Sequence, residues 1–195
     1  MRATRAGTKG MSNRLVVTVD RDGGAEEVAA VQGRLAGASG LNVTDAAQAH
    51  VTMKFLGDTD PDRVPELVEE LEAAVADSGV DPFTAEFGGL GVFPSLDYIS
   101  VVWLGVREGS AELTRLHEAI EERTVAMGFD AEDHDFTPPA TLARMQHAGG
   151  KELVQDVVEN RDPTVGTLRV EEIRLTESTL TDDGPVYSTL HAVPL

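Results

Sequence analysis

Residues 48–55 read Gln-Ala-His-Val-Thr-Met-Lys-Phe. In an extended chain successive side chains point to opposite faces. His50, Thr52 and Lys54 therefore share one face, and Val51, Met53 and Phe55 turn the other way, toward a core. Imidazole moves protons near neutral pH. A hydroxyl can hold a phosphate oxygen, and an ammonium adds a point charge for an anion. A lone histidine on a strand is ordinary; with threonine and lysine beside it, the face suits a phosphate ester. A second stretch, Thr137–Leu142, overlays Gln48–Met53 residue for residue. Thr141 falls on Thr52 and the apolar positions coincide. Where the first copy has His50, the second has Pro139, which carries neither an ionisable group nor a backbone N–H. Arg144 closes the second stretch. Simple alternation sets Arg144 opposite to Thr141, so it joins Thr141 only if the strand ends or bulges between them.

The other histidines offer less. His134, between Asp133 and Asp135, reads as a solvated loop residue, and His147 lies in a glycine turn. His117 falls beside the inward stripe of a helix, and His191 has no motif around it. Filling the place of Pro139 from His134 or His147 would need a sharp turn back into the site. No two histidines have the spacing of metal ligands, so no metal or other cofactor is expected. Absence of cysteine excludes disulfides, thiolate chemistry and cysteine zinc sites. The glycine-rich run GGLGVF lacks a phosphate-loop pattern and reads as a loop. Glu26-Glu27, Glu69-Glu70 and Glu121-Glu122 read as solvated helix faces, and Arg107 and Arg115 as surface residues. Trp103 and Phe93 are able to stack on a base. The strand of Trp103 is apolar on both faces, which favours core packing for it.

The elements that must position these groups follow from periodicity and punctuation. Strands are expected at Leu15–Val19, His50–Leu56, Phe83–Phe87, Tyr98–Val106 and Phe136–Arg144. A final hairpin of Thr167–Leu180 and Val186–Val193 turns over 181–185. Helices are expected at Gly24–Gly37, from Asp60-Pro61 to Gly79, at Ser110–Met127, and from Lys151 to Val158. Asp60-Pro61 is a cap followed by proline at the first helical position. The order is β-α-β-α-β, then β-α-β-α-β-β. The two threonine stretches fall on the second strand of each half, as a duplicated unit would place them. No linker separates the halves, so residues 13–195 read as one α+β domain of two similar lobes.

The chain has 195 residues, long enough for one substantial core. Acidic residues outnumber basic ones 34 to 16, for a net charge of -18. That balance opposes broad electrostatic binding of long nucleic acids but leaves room for a local phosphate site. It also suits a high-salt cytoplasm, where screening removes most self-repulsion. No apolar run suits a membrane span or export signal. A cytoplasmic monomer is expected. Residues 1–12, with Arg2, Arg5 and Lys9, read as a disordered tail or a start assigned too far upstream of Met11.

The stretch AHVTMKFLGD resembles the first HxTx motif of the 2H phosphoesterases, in particular the RNA 2',3'-cyclic phosphodiesterases, also called 2'-5' RNA ligases. FTPPATLARM resembles their second motif, in which a histidine stands where this chain has Pro139. GVFPSLDYISVVWLGV and VYSTLHAVPL are similar to the family at the corresponding places. The resemblance runs from about Leu15 to Leu195. It implies a bilobal α+β fold with a central cleft and no required metal. It implies opening of a terminal 2',3'-cyclic phosphate to a 2'-phosphate, on RNA or a small cyclic nucleotide. By position, His50 matches the proton donor, Thr52 and Thr141 the phosphate-binding threonines, and Arg144 the phosphate-assisting arginine. Pro139 stands where the proton acceptor is expected, so slower turnover follows from the resemblance. Three alternatives remain at this point. The chain is a non-catalytic binder of RNA ends or nucleotide phosphates; it joins RNA ends through 2'-5' bonds; or Pro139 is a variant or sequencing error.

Overall fold

The computed structural model describes residues 13–20, 24–133, 135–137, 139–182 and 184–195. The tail expected at residues 1–12, His134 and Pro138 lie outside the described residues. In chain order the elements are β1 (Asn13–Asp20), α1 (Ala25–Gly33), β2 (Leu41–Val43), β3 (His50–Thr59), α2 (Val64–Ser78), β4 (Phe83–Pro94), β5 (Ile99–Glu108), α3 (Ser110–Ala126), β6 (Ala140–Met145), α4 (Lys151–Asn160), β7 (Thr164–Val170), β8 (Glu172–Thr181) and β9 (Gly184–Pro194).

Local chemistry accounts for the helix before which Asp60 stands. The Asp60 carboxylate accepts from the Asp62 N–H at 3.0 Å, and Pro61 opens the short 3₁₀ turn that leads into α2. Gly79 ends α2 in the left-handed conformation, at φ 60°. Between these signals Leu67, Leu71, Ala74 and Val75 are buried on one stripe. Each fully buried leucine contributes roughly 1.5–3 kcal/mol relative to an exposed one.

The strands form one antiparallel sheet in the order β7-β4-β5-β6-β3-β1-β8-β9, with β2 added to β6. β3 and β6 are its central pair, and the bridge recorded between them is Val51 opposite Ala140. Past that point β6 pairs with β2 through Ala143–Met145 instead. The halves of the sheet are therefore not the halves of the chain. β8 and β9, from the C-terminal end, extend the lobe begun by β1 and β3, while β4 joins β5, β6 and β7. Helices cross over in the same way: α2 and α3 pack together, with α3 against β3, whereas α1 packs against β6 and β7. A large core joins β1, β3, α1, α2 and α3, and a smaller one joins the turn after α1, at Leu35 and Ala38, to β5, β6 and α4 through Val102, Ala143, Val154 and Val157.

Several expectations need correction. The expected loop around GGLGVF is strand: β4 runs on through its glycines to Pro94. The single strand expected over Thr167–Leu180 is two, β7 and β8, divided after Val170. β2 carried no alternating pattern and went unread. β6 begins at Ala140 rather than Phe136, which leaves Pro139 just ahead of the strand, where its missing N–H costs no ladder bond.

Candidate active site

Strict alternation fails at the two positions that matter most. Across β1 and β3, Thr18 faces Thr52 and Val17 faces Lys54, so Met53 is unmatched. Across β5 and β6, Trp103 faces Thr141 and Val102 faces Ala143, so Leu142 is unmatched. Each is a β-bulge directly after a threonine. In each, two successive residues turn to the buried face: Met53 and Lys54, then Leu142 and Ala143. The residue three past each threonine therefore returns to the threonine's own face. Those residues are Phe55 and Arg144.

The bulge carbonyls are held from below by the crossed helices. His117 on α3 donates from Nδ1 to the Met53 carbonyl at 2.7 Å, and its ring stacks on Phe136. Gln32 on α1 donates from Nε2 to the Leu142 carbonyl at 3.0 Å, and the Thr44 hydroxyl donates to the same oxygen at 2.9 Å. Each half of the chain thus clamps the motif strand of the other.

Lys54 does not join the site. It is fully buried on the helix side, donating to Glu121 Oε2 at 2.5 Å and to the Asp130 carbonyl at 2.6 Å. Glu121 Oε1 accepts in turn from the Glu132 N–H at 2.7 Å. Partial burial pushes the Glu121 pKa up. The Lys54 ammonium and the Glu132 N–H more than offset that, and the carboxyl ends below its ordinary value. Glu121 is therefore no solvated face residue; with Lys54 it ties the segment leading to Pro139 onto β3.

Four of the groups singled out by type, His50, Thr52, Thr141 and Arg144, lie where a ligand could meet them. A cleft of about 260 Å³ is lined by His50, Thr52, Phe55, Thr141 and Arg144 from the central strands. Asn42–Asp45 and Gln48 wall one end, and Thr181 and Gly184–Tyr187 from the β8–β9 turn wall another. Continuing the Val51–Ala140 register by one residue each way sets His50 opposite Thr141 and Thr52 opposite Pro139. That is the pairing a twofold repeat produces. The Thr52 and Thr141 hydroxyls and the Arg144 guanidinium have no protein partner among the described residues. Arg144 reaches this face through the bulge, the condition the sequence set for it.

His50 is oriented on both sides. Its Nδ1–H donates to the Gln48 carbonyl at 2.9 Å, which leaves Nε2 for the cleft. The Tyr187 ring meets it edge-on at 4.5 Å. Burial pushes the His50 pKa below the ordinary histidine value, and the Gln48 carbonyl and the Asp20 carboxylate only partly oppose that. Asp20 is itself held by Arg174 at 2.9 Å and by the Thr18 hydroxyl at 2.6 Å. The other described histidines sit elsewhere: His117 under β3, His147 beside Gly149, and His191 near Glu72. Arg107 is bound by Asp162, Glu86 and Thr164 and does not line the cleft. No group of three or more His, Asp or Glu among the described residues is placed to hold a metal ion.

Sequence reasoning missed Phe55, Tyr187 and the β2 end of the cleft. No local signal marks a bulge, so Phe55 read as core. Tyr187 lay in a hairpin whose partner strand was mis-divided.

Solved structures share this two-lobed arrangement. A Thermus thermophilus protein superposes with a TM-score of 0.76 at 23% identity, covering 93% of this chain and 97% of that one. E. coli LigT complexed with 3'-AMP gives 0.74 at 21%, covering 94% and 98%. The fold is that of the 2H phosphoesterases. At the level of sequence, residues 21–182 match the model of the 2'-5' RNA ligase superfamily. An Aeropyrum pernix protein named RNA 2',3'-cyclic phosphodiesterase is 39% identical over 74% of this chain and 80% of its own. A protein of the same name from Archaeoglobus fulgidus is 33% identical over 91% and 97%. The chain belongs to the 2'-5' RNA ligase superfamily.

Proposed function

We propose that this protein opens a terminal 2',3'-cyclic phosphate, on RNA or a small cyclic nucleotide, to a 2'-phosphate. The observation that carries the reading is the convergence of two free threonine hydroxyls, a free guanidinium and a histidine Nε2 on one cleft. Thr52, Thr141 and Arg144 bind the phosphate oxygens and favour the charge that builds on them. Water attacks phosphorus, the P–O3' bond breaks, and His50 Nε2–H delivers its proton to the departing 3' oxygen. The water's own proton has no side-chain acceptor at Pro139 and passes to solvent. A missing general base costs roughly 10²–10⁴-fold. With the 5'-hydroxyl of a second RNA attacking phosphorus in place of water, the same displacement breaks the P–O3' bond and joins the two ends through a 2'-5' bond.

The names of the relatives support an RNA substrate, and an RNA substrate supports a cytoplasmic place. The continuous sheet supports reading residues 13–195 as one domain, which we take to act as a monomer. The net charge of -18 supports adaptation to salt. Pro139 itself favours the second reading, a binder of RNA ends that does not turn over.

The test is hydrolysis, in high salt, of a short RNA ending in a 2',3'-cyclic phosphate, by this chain and by Pro139→His in parallel. Slow release of 2'-phosphate by this chain and faster release by the variant is the expected result. Binding without turnover by either would favour the binder. Equal rates would mean that another group supplies the base.

A further inference from the structure

The largest side chain in the protein belongs to neither hydrophobic core. Trp103 was expected to pack inward, but it is absent from both buried clusters and from the residues packed against them. It faces Thr141 across β5 and β6, so its side chain stands on the cleft's face of the sheet, one strand spacing, about 4.8 Å, from the phosphate-binding threonine. On its other side β4 offers a floor. A Cβ at Gly91 would sit 2.0 Å from the indole. The ring therefore lies over backbone that only glycine leaves open. Phe93, 44% exposed, tilts against it with centroids 5.7 Å apart. Val101, which faces Phe93 on one side, faces Arg144 on the other. Two rows thus lead from the cleft over β5 to β4: Thr141, Trp103, Gly91, and Arg144, Val101, Phe93. The buried Trp103 Nε1 has no partner within the described residues. A donor kept in that state is explained when a ligand or water completes it.

We propose that Trp103 and Phe93 form a stacking platform for the base of the nucleotide just upstream of the cyclic phosphate in single-stranded RNA. This rests on the reading of the cleft as the site of that phosphate. The terminal nucleoside occupies the cleft toward Phe55, Val186 and Tyr187, and the chain leaves on the opposite side, past Arg144 and over the indole. An aromatic floor reads no particular base, because every base has a π-face. The protein accordingly prefers an oligonucleotide end to a cyclic mononucleotide without strong sequence preference at that position.

Trp103 is the only tryptophan, so its fluorescence reports this surface alone. The unmodified protein is titrated in high salt with three ligands: a short RNA ending in 2'-phosphate, the same RNA abasic at its penultimate position, and a nucleoside 2'-phosphate. Binding is followed by calorimetry in parallel. The intact RNA should quench the indole saturably. The abasic RNA should bind about tenfold more weakly and quench little, and the mononucleotide should bind with emission nearly unchanged. Phe93→Ala, a truncation at an exposed site, should weaken the intact RNA but not the mononucleotide. Equal quenching by intact and abasic RNA, or by the mononucleotide, would overturn the platform. So would binding of the intact RNA without quenching, and each of these leaves the proposed activity standing. If neither RNA nor mononucleotide binds, the platform and the activity both fall.

Discussion

At the scale of single residues, the protonation of His50 decides how the site works. Burial keeps its pKa below the ordinary value of about 6.5, so the ring is mostly neutral at pH 7 in the free protein. A proton donor is needed in its charged form. As pH rises through the depressed pKa, that form is lost, and kcat/KM for cyclic-phosphate opening should fall. The profile of this chain should therefore have one limb, descending from the acid side. Pro139→His adds a group needed in its neutral form, and its profile should become a bell. A profile that rises with pH over the same range would show His50 acting as the base, and the proposed role would be wrong. His50→Ala should lose roughly 10²–10⁴-fold. The residue types were legible in the sequence: His50, Thr52, Thr141 and Arg144 all line the cleft. Lys54 was not, because its place depends on a single unmatched residue before it.

At the scale of elements, that unmatched residue is the device. A period of two predicts faces only while the ladder stays in step. Met53 and Leu142 each break step once, sending a cation inward at Lys54 and bringing one outward at Arg144. Both breaks are read as core-compatible apolar residues, which is why the pattern hides them. What fixes them is long-range, through His117 on α3 and Gln32 on α1. Removing a donor from a buried carbonyl costs about 1–3 kcal/mol. The Leu142 carbonyl keeps the Thr44 N–H and hydroxyl when Gln32 is lost. His117 also brings its stack on Phe136. His117→Leu should therefore lower the unfolding free energy more than Gln32→Leu, as measured by urea denaturation. Gln32→Leu should raise KM more than it lowers kcat, because the bulge it supports aims Arg144 rather than His50. Equal loss of kcat in both variants would argue that the clamps serve only folding. The twofold order of elements was legible from spacing. The exchange of helices and of β8–β9 between lobes was not, since it is set by which faces bury each other.

At the scale of the whole molecule, charge and function pull against each other in a way salt resolves. A net charge of -18 repels both itself and an RNA backbone. Raising salt from about 0.1 M to about 1 M shortens the screening length from roughly 10 Å to 3 Å. The repulsion across the surface fades, while the fully buried Lys54, paired with Glu121, is screened much less. The melting temperature should climb by about 5 °C or more over that range, corresponding to roughly 1–2 kcal/mol for a chain of this size. Salt ordinarily weakens phosphate binding, with a log–log slope near −0.7 for each contact to a single strand. Here Arg144 is the one lysine or arginine lining the cleft among the described residues, so the slope should stay near that of one contact. A tenfold rise in salt then costs roughly fivefold in affinity. Stacking on Phe93 and Trp103 does not depend on charge and would hold the RNA where basic proteins let go. Turnover should therefore peak in molar salt. Thermal melting and RNA titration across one salt series check both slopes together. A melting temperature that is flat or falls with salt would sink the account of the acidic surface. A binding slope of several units would place further cations on the RNA path and require a wider electrostatic footprint than this cleft provides.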